Sequence, residues 1–135
     1  MKIEGGCLCG AVRYSGEAEP TFAGVCHCRD CQKFTGSAFG AMVGVPQSSV
    51  KIEGSKLKTF SSIGGSGKPI LRHFCSECGS SIAEESVNLP DHIIINVGTL
   101  DDPGQMTPQM EIFCDDAWSW VQLGDGMPRF GKLPA

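Results

Sequence analysis

The sequence lacks long hydrophobic runs. No apolar run is longer than Ile93–Ile95, whereas a membrane-spanning helix needs about 20 consecutive, mainly apolar residues. The N-terminal residues Met1–Cys7 also lack the basic start and the apolar run of a secretory signal. These two absences predict a protein that does not enter a membrane and that stays in the cytoplasm.

Positive charge is also scarce. The chain has 11 Lys and Arg against 15 Asp and Glu, a net charge of −4, and its basic residues are scattered. Nucleic-acid binding is not expected, because neutralisation of phosphates supplies most of that affinity. A length of 135 residues with 41% hydrophobic residues instead predicts a single globular domain over residues 1–135.

Long helical patterns are missing, since 18 glycines and eight prolines interrupt the chain. We therefore predict an all-β architecture of short antiparallel strands joined by hairpins. One short helical turn is expected from Cys28 to Phe34, ending at Gly36. Ile63–Lys68 is interpreted as a hairpin turn, because it lacks the spacing of a phosphate-binding loop. The predicted strands are Ala11–Ser15, Thr21–Val25, Ala38–Val45, Val50–Ile52, Leu57–Ser61, Ile70–Phe74, Ser81–Glu84, Ile93–Val97 and Met110–Phe113.

Cysteine is what the sequence has in excess, with eight residues. All but Cys114 fall in tight clusters. We name these the N-terminal pair (Cys7, Cys9), the trio (Cys26, Cys28, Cys31) and the distal pair (Cys75, Cys78). Cysteines this close rarely meet disulfide geometry, and a reducing compartment keeps thiols free. Their spacing favours metal binding over structural disulfides.

The number of ligands suggests two zinc sites. Structural zinc takes four protein ligands, which the N-terminal and distal pairs would supply together. The trio offers three thiolates and leaves a fourth position for water or substrate, as in catalytic zinc sites. Two other assignments remain open. Cys114 or His27 could close the second site, or the N-terminal pair could join Cys26 and Cys28.

Other polar and aromatic residues are weaker candidates for the site. His27 could form a hydrogen bond with a cysteine sulfur or relay a proton. Strand alternation instead favours an ordinary surface or supporting role, with the His27 side chain turned away from Cys26 and Cys28. Trp118 and Trp120 could wall a pocket or dock the C-terminal segment onto the core. Three acidic pairs are interpreted as solvated turns: Glu84–Glu85, Asp101–Asp102 and Asp115–Asp116.

The motifs together resemble those of the glutathione-dependent formaldehyde-activating enzymes and their centromere protein V relatives. The resemblance extends over most of the chain and implies a β-tent-like fold. It implies a structural zinc on Cys7, Cys9, Cys75 and Cys78, and a catalytic zinc on Cys26, Cys28 and Cys31. The segments that resemble the family are 6–14, 26–33, 74–80 and 97–103.

The resemblance also implies an activity, the condensation of formaldehyde with glutathione to S-hydroxymethylglutathione, of the carbon–sulfur lyase class. We accordingly predict a zinc-dependent enzyme with two Zn²⁺ per chain, acting on a small-molecule thiol such as glutathione and on a carbon electrophile. A zinc-bound thiol is deprotonated at neutral pH and is then nucleophilic. The alternatives are a non-catalytic zinc-binding interaction module and, with less support, a redox sensor.

Overall fold

The computed structural model of the protein describes residues 1–124 and 126–134. It is built mainly from short strands, in agreement with the predicted fold class. The strands are β1 (Gly5–Gly6), β2 (Arg13–Gly16), β3 (Phe22–Cys26), β4 (Gly40–Pro46), β5 (Val50–Glu53), β6 (Leu57–Ile63), β7 (Pro69–Cys75), β8 (Ser81–Ser86), β9 (His92–Asn96) and β10 (Met110–Ile112), and the α-helix is α1 (Arg29–Thr35). Every predicted strand is present within a few residues of its expected bounds, and β1 is an additional one.

The strands form two sheets. A small sheet has the order β1-β2-β5, and a large sheet has the order β10-β3-β4-β9-β8-β7-β6. Most neighbours are antiparallel, and hairpins join β6 to β7 and β7 to β8. The first of these hairpins turns over residues 64–68, where the Gly64 amide donates to the Lys68 carbonyl at 2.8 Å. The interpretation of that segment as a hairpin turn is confirmed.

One strand pairing differs from the prediction of antiparallel sheets. β10 runs parallel to β3, with Ile112 opposite Cys26. Parallel neighbours require a long crossover rather than a hairpin, and here the chain between the two strands contains most of the domain. The sequence pattern of a three-residue strand gives no signal for its direction. The pairing matters for function because it brings β10 beside the first cysteine of the trio.

The central strands β4 and β9 are buried on both faces. Val43 and Ile95 belong to the main core, which joins the small sheet to the large one, whereas Met42 and Ile94 belong to a second cluster on the opposite face. Successive side chains of a strand point to opposite faces, so the continuous apolar run at Ile93–Ile95 serves both layers. The second cluster contains the cysteines of the trio.

Helix α1 begins directly after the trio's middle residue. Cys28 is the N-cap, and its Sγ accepts a hydrogen bond from the Cys31 amide at 3.2 Å. The helix ends at Gly36, which has a φ of 70° and donates its amide to the Gln32 carbonyl at 2.8 Å. This left-handed conformation favours glycine. The predicted helical turn and its stop signal are confirmed.

Within residues 1–124 and 126–134, no helix is long and apolar enough to cross a membrane.

Candidate functional site

The N-terminal pair and the distal pair meet in space, although they are far apart in sequence. The Cys9 Sγ lies 3.6 Å from the Cys7 Sγ and 3.8 Å from the Cys75 Sγ. The four sulfurs of the two pairs all lie within 4.8 Å of one another. Four sulfur donors at this spacing fit a closed tetrahedral zinc site. The group joins the turn after β1 to the turn after β7.

Tight turns hold these four cysteines. Gly10 and Gly79 have positive φ values of 82° and 78°, which glycine adopts readily. The Cys7 Sγ accepts a hydrogen bond from the Val12 amide at 3.2 Å. A hydrogen bond from the Ser80 side chain lowers the pKa of Cys78 to about 5. The local backbone and side chains therefore already favour thiolate character at one corner of the group, as a metal ligand requires.

The trio forms a second group of sulfurs. Cys26 is the last residue of β3, Cys28 caps α1, and Cys31 lies in the first turn of that helix. The three sulfurs lie within 4.8 Å of one another, and Cys26 and Cys31 are buried. The strand-to-helix turn thus brings three ligands together from six consecutive residues.

The trio holds one negative charge more easily than three. Hydrogen bonds from Cys26 and Cys31 lower the pKa of Cys28. The contact with Cys28 raises the pKa of Cys26, and the contacts with Cys26 and Cys28 raise the pKa of Cys31, because a second thiolate would face the first. A divalent cation would remove this repulsion, since it lets adjacent thiols ionise together. The donor set and its burial therefore fit zinc.

The trio lies on the wall of a cavity of about 450 Å³. Cavities of about 300–1,000 Å³ are typical of small-molecule sites. The rest of the wall comes from β3, β4, β7, β8, β9 and β10, from the turn between β6 and β7, and from the segments that follow β8 and β10. None of the cysteines of the four-sulfur group lines this cavity. The apolar lining residues of the cavity include Phe22, Met42, Leu89, Ile94, Met110 and Ile112.

A buried ion pair lines the same cavity. Arg72 on β7 and Glu84 on β8 are opposite each other in register, and the Arg72 Nη1 donates to the Glu84 Oε2 at 2.6 Å. Both side chains are buried, and burial raises the pKa of Glu84. The interpretation of Glu84–Glu85 as a solvated turn is therefore wrong, because both residues lie in β8 and Glu84 is buried on the cavity wall.

His27 is buried rather than at the surface. Its Nε2 lies 2.8 Å from the Glu111 Oε1, and the Arg129 Nε lies 3.2 Å from the other oxygen of that carboxylate. The His27 amide also donates to the Ile112 carbonyl at 3.0 Å. Cys114 lies close to His27 and Glu111, in a group separate from the trio. These contacts attach the segment between Cys26 and Cys28 to β10.

The two tryptophans lie outside the cavity wall. The Trp118 Nε1 donates to the Gln32 Oε1 at 3.0 Å, and the Arg29 guanidinium lies 5.8 Å from the centre of the Trp118 ring system. Trp120 is largely exposed. Trp118 therefore packs the C-terminal segment onto α1, which is the docking role considered from the sequence.

Two other acidic pairs differ in their surroundings. Asp101 binds Arg13 at 2.9 Å on the surface, and this contact lowers the pKa of Asp101. Asp115 and Asp116 are exposed in a short 3₁₀ turn, as predicted, and Asp116 also lines the cavity, as does Asp30 at the start of α1. The involvement of Glu84 and Asp116 had no signal in the sequence, because it depends on strand register and on the course of the C-terminal segment.

The fold and the site define the class of protein: a small, mostly β domain with two cysteine groups that could hold metal ions, one of them on a cavity. The chain belongs to the family of glutathione-dependent formaldehyde-activating enzymes, because the model of that family matches residues 2–116. The resemblance inferred from the cysteine motifs is thus confirmed.

Individual relatives are distant. A protein of Halomonas elongata, named "Putative glutathione-dependent formaldehyde-activating enzyme", is 24% identical over 128 residues, which are 91% of this chain and 82% of that protein. A crystal structure of a Rhodobacter sphaeroides protein has a TM-score of 0.57 at 22% identity, and the match covers 95% of this chain and 99% of the other. The latter likeness concerns the fold alone.

Proposed function

We propose that the chain is a zinc-dependent enzyme of the carbon–sulfur lyase type, which acts on the adduct of a thiol and an aldehyde. The observation that carries this proposal is the position of the trio: three sulfurs on the wall of a cavity, with no fourth cysteine in their group. Glutathione and formaldehyde are the first substrates to test, because the family is named for them.

The two cysteine groups are assigned different tasks. Cys7, Cys9, Cys75 and Cys78 hold a structural zinc, because four sulfurs complete a tetrahedral site. Cys26, Cys28 and Cys31 hold the catalytic zinc. When bound there, the ion supplies a lowered pKa for a substrate thiol, so that its sulfur becomes a nucleophile at neutral pH.

Glu84 is the proposed proton carrier of the site. It is buried, lines the cavity and is positioned by Arg72. In the forward direction a bond forms between the thiol sulfur and the aldehyde carbon, and the carbonyl π bond breaks. The proton leaves the sulfur for a Glu84 carboxylate oxygen and is then delivered to the former carbonyl oxygen. The raised pKa of Glu84 suits a group that both accepts and donates a proton.

The cavity wall supports this chemistry by its low polarity. The side chains around the trio are mostly apolar, and low polarity strengthens the interaction of a carboxylate with a nearby proton donor. The same surroundings argue against the alternative of a non-catalytic zinc module. A folding site needs no cavity beside its metal, and none of the cysteines of the four-sulfur group lines this cavity.

The proposal is tested by exchange NMR of the thiol–aldehyde equilibrium, in which the enzyme increases the rate of hemithioacetal formation without changing the equilibrium. We expect acceleration by the zinc-loaded wild type and loss of it in Cys28→Ser. Cys114→Ser is the matched control, because Cys114 lies in a separate group, and it should retain the wild-type rate. Equal rates for wild type, Cys28→Ser and buffer across a panel of charged and uncharged thiols would leave the interaction module as the remaining function.

A further inference from the structure

We propose that the thiol which this site takes is uncharged and has an apolar body, and that charged thiols such as glutathione are poor ligands of the cavity. The inference rests on the proposed function and specifies its substrate class. It follows from two features of the cavity. The wall is mostly apolar, and the cationic side chains in it already interact with other residues of the protein.

Apolar side chains surround the trio on several sides. Met42 and Ile94 come from adjacent central strands, and both are buried. Phe22 and Leu89 close over the same face at Gly44, where an added Cβ would lie within 3.3 Å of each of them. A thiol with its sulfur at the trio would place its body against these side chains. Each buried methylene group should strengthen binding about fourfold.

The charged groups of the wall do not favour an anion. Among its described residues there are three carboxylates, on Asp30, Glu84 and Asp116, and two guanidinium groups, on Arg29 and Arg72. With three thiolates and one Zn²⁺ the trio would add a further net negative charge. An anionic thiol would therefore meet a site of its own sign.

Both guanidinium groups already have partners. Arg72 donates to Glu84 and lies 5.2 Å from the ring centre of Phe34. Arg29 donates to the Gln32 side chain and stacks on Trp118. Glutathione has two carboxylates and one ammonium group, and any of these that entered the buried part of the cavity beside Arg72 and Glu84 would lose water. Burial of a charge without a partner is strongly unfavourable, so an uncharged thiol is the better ligand.

The test compares thiols that share one skeleton but differ in charge. Methyl 3-mercaptopropionate is uncharged, and 3-mercaptopropionate carries a carboxylate. Benzyl mercaptan and glutathione extend the comparison to a larger apolar body and a larger charged one. Binding is followed in zinc-loaded protein by the ¹³C-methyl NMR signals of methionine. Met42 and Met110 line the cavity, whereas Met1, Met106 and Met127 lie outside its lining and serve as internal controls.

We expect the ester and benzyl mercaptan to shift the signals of Met42 and Met110 and to bind at least about tenfold more tightly than their charged counterparts. Equal or tighter binding of glutathione at these two methyl groups would overturn the inference. Turnover with glutathione alone would also overturn it while leaving the proposed function intact. Tight binding of apolar thiols without turnover of any thiol would support the inference about the ligand but contradict the proposed function.

Variants of the wall test the same point from the protein side. Leu89→Lys adds a cation beside the cavity and should reduce the preference for the uncharged ester about two- to fivefold. Leu133→Lys also adds a cation beside the cavity and should have the same effect. Leu133 is about half exposed, so this variant should fold normally. Val87→Lys is the matched control, because Val87 is 48% exposed and is absent from the lining. An unchanged preference in folded Leu89→Lys and Leu133→Lys would contradict the inference.

Discussion

The two cysteine groups use the same ligand atom in opposite settings. The four-sulfur group connects residues that are 66 apart in sequence at one contact, Cys9 with Cys75, and none of its cysteines lines the cavity. The trio comes from six consecutive residues and lies on a cavity wall. Distant ligands join segments of the fold in the four-sulfur group, whereas the three neighbouring sulfurs of the trio are one short of a tetrahedral set. This contrast is the basis of the structural and catalytic roles that we propose for the two groups.

The largest expected effect of a single substitution is on stability, at the four-sulfur group. Cys75→Ser should remove the ligand set that joins the two turns and should cost on the order of 10 kcal/mol, which is comparable with the total stability of a domain. Thermal or denaturant unfolding of zinc-loaded protein measures this loss. We expect the variant to be largely unfolded at room temperature.

Cys28→Ser is the matched variant for that comparison. Serine is a good helix N-cap, so α1 should persist, and the loss of stability should stay within the usual range of about 1–3 kcal/mol. Identical unfolding curves for Cys75→Ser and Cys28→Ser would remove the distinction between the two groups.

Metal removal should separate the groups by their affinity. A chelator should take the ion from the trio first, because three protein ligands hold zinc less completely than four. Loss of the first zinc per chain should abolish turnover with little change in thermal stability, and loss of the second should unfold the domain. Native mass spectrometry follows the zinc content, and circular dichroism follows the fold. Unfolding that coincides with loss of the first ion would contradict the assignment.

Glu84→Gln should affect chemistry more than folding. Removal of the proton carrier should lower turnover about 100-fold or more. Burial raises the pKa of Glu84 above its ordinary value of 4.5, and the carboxylate form accepts the proton. The wild-type rate should therefore fall as the pH decreases through that raised pKa.

The glutamine variant should lack this dependence on pH. Glu85→Gln is the control, since Glu85 instead contacts His73 and Gln47 and does not line the cavity. It should retain the wild-type profile. A Glu84→Gln variant that kept the wild-type rate and profile would assign the proton transfer to another group.

The smallest effect is expected from Glu111→Gln, which tests whether β10 positions the trio through His27. The change keeps one hydrogen bond to His27 but removes the charge that faces Arg129, and should cost about 1–3 kcal/mol of stability. The electronic spectrum of a Co²⁺-loaded trio should shift slightly, because His27 lies between two of its ligands. A spectrum unchanged to within error would mean that β10 does not position the trio.

Much of this arrangement could be predicted from the sequence. Turn residues divided the chain into strands correctly, and the close spacing of Cys26, Cys28 and Cys31 indicated that the sulfurs of the trio meet. The helix stop at Gly36 was also evident, because a left-handed residue is needed there. These features are local in sequence, and local signals are the ones that composition and spacing retain.

The features that were missed are all non-local. β1 is a two-residue strand with no alternating pattern, and β10 pairs in parallel with β3 through a crossover of most of the chain. Glu84 is buried because Arg72 lies opposite it on the next strand. His27 is buried because Glu111 comes from β10. Each depends on strand register, which no pattern in a single strand determines.

The most direct test of the central claim, that the trio is an open metal centre, is the absorption spectrum of the Co²⁺-substituted protein with and without benzyl mercaptan. An added sulfur ligand should increase the thiolate-to-cobalt charge-transfer bands of wild type and of the control Cys114→Ser, and should leave Cys28→Ser unchanged. A spectrum of fully loaded wild-type protein that does not respond to the thiol would show that the trio's metal has no position for a substrate.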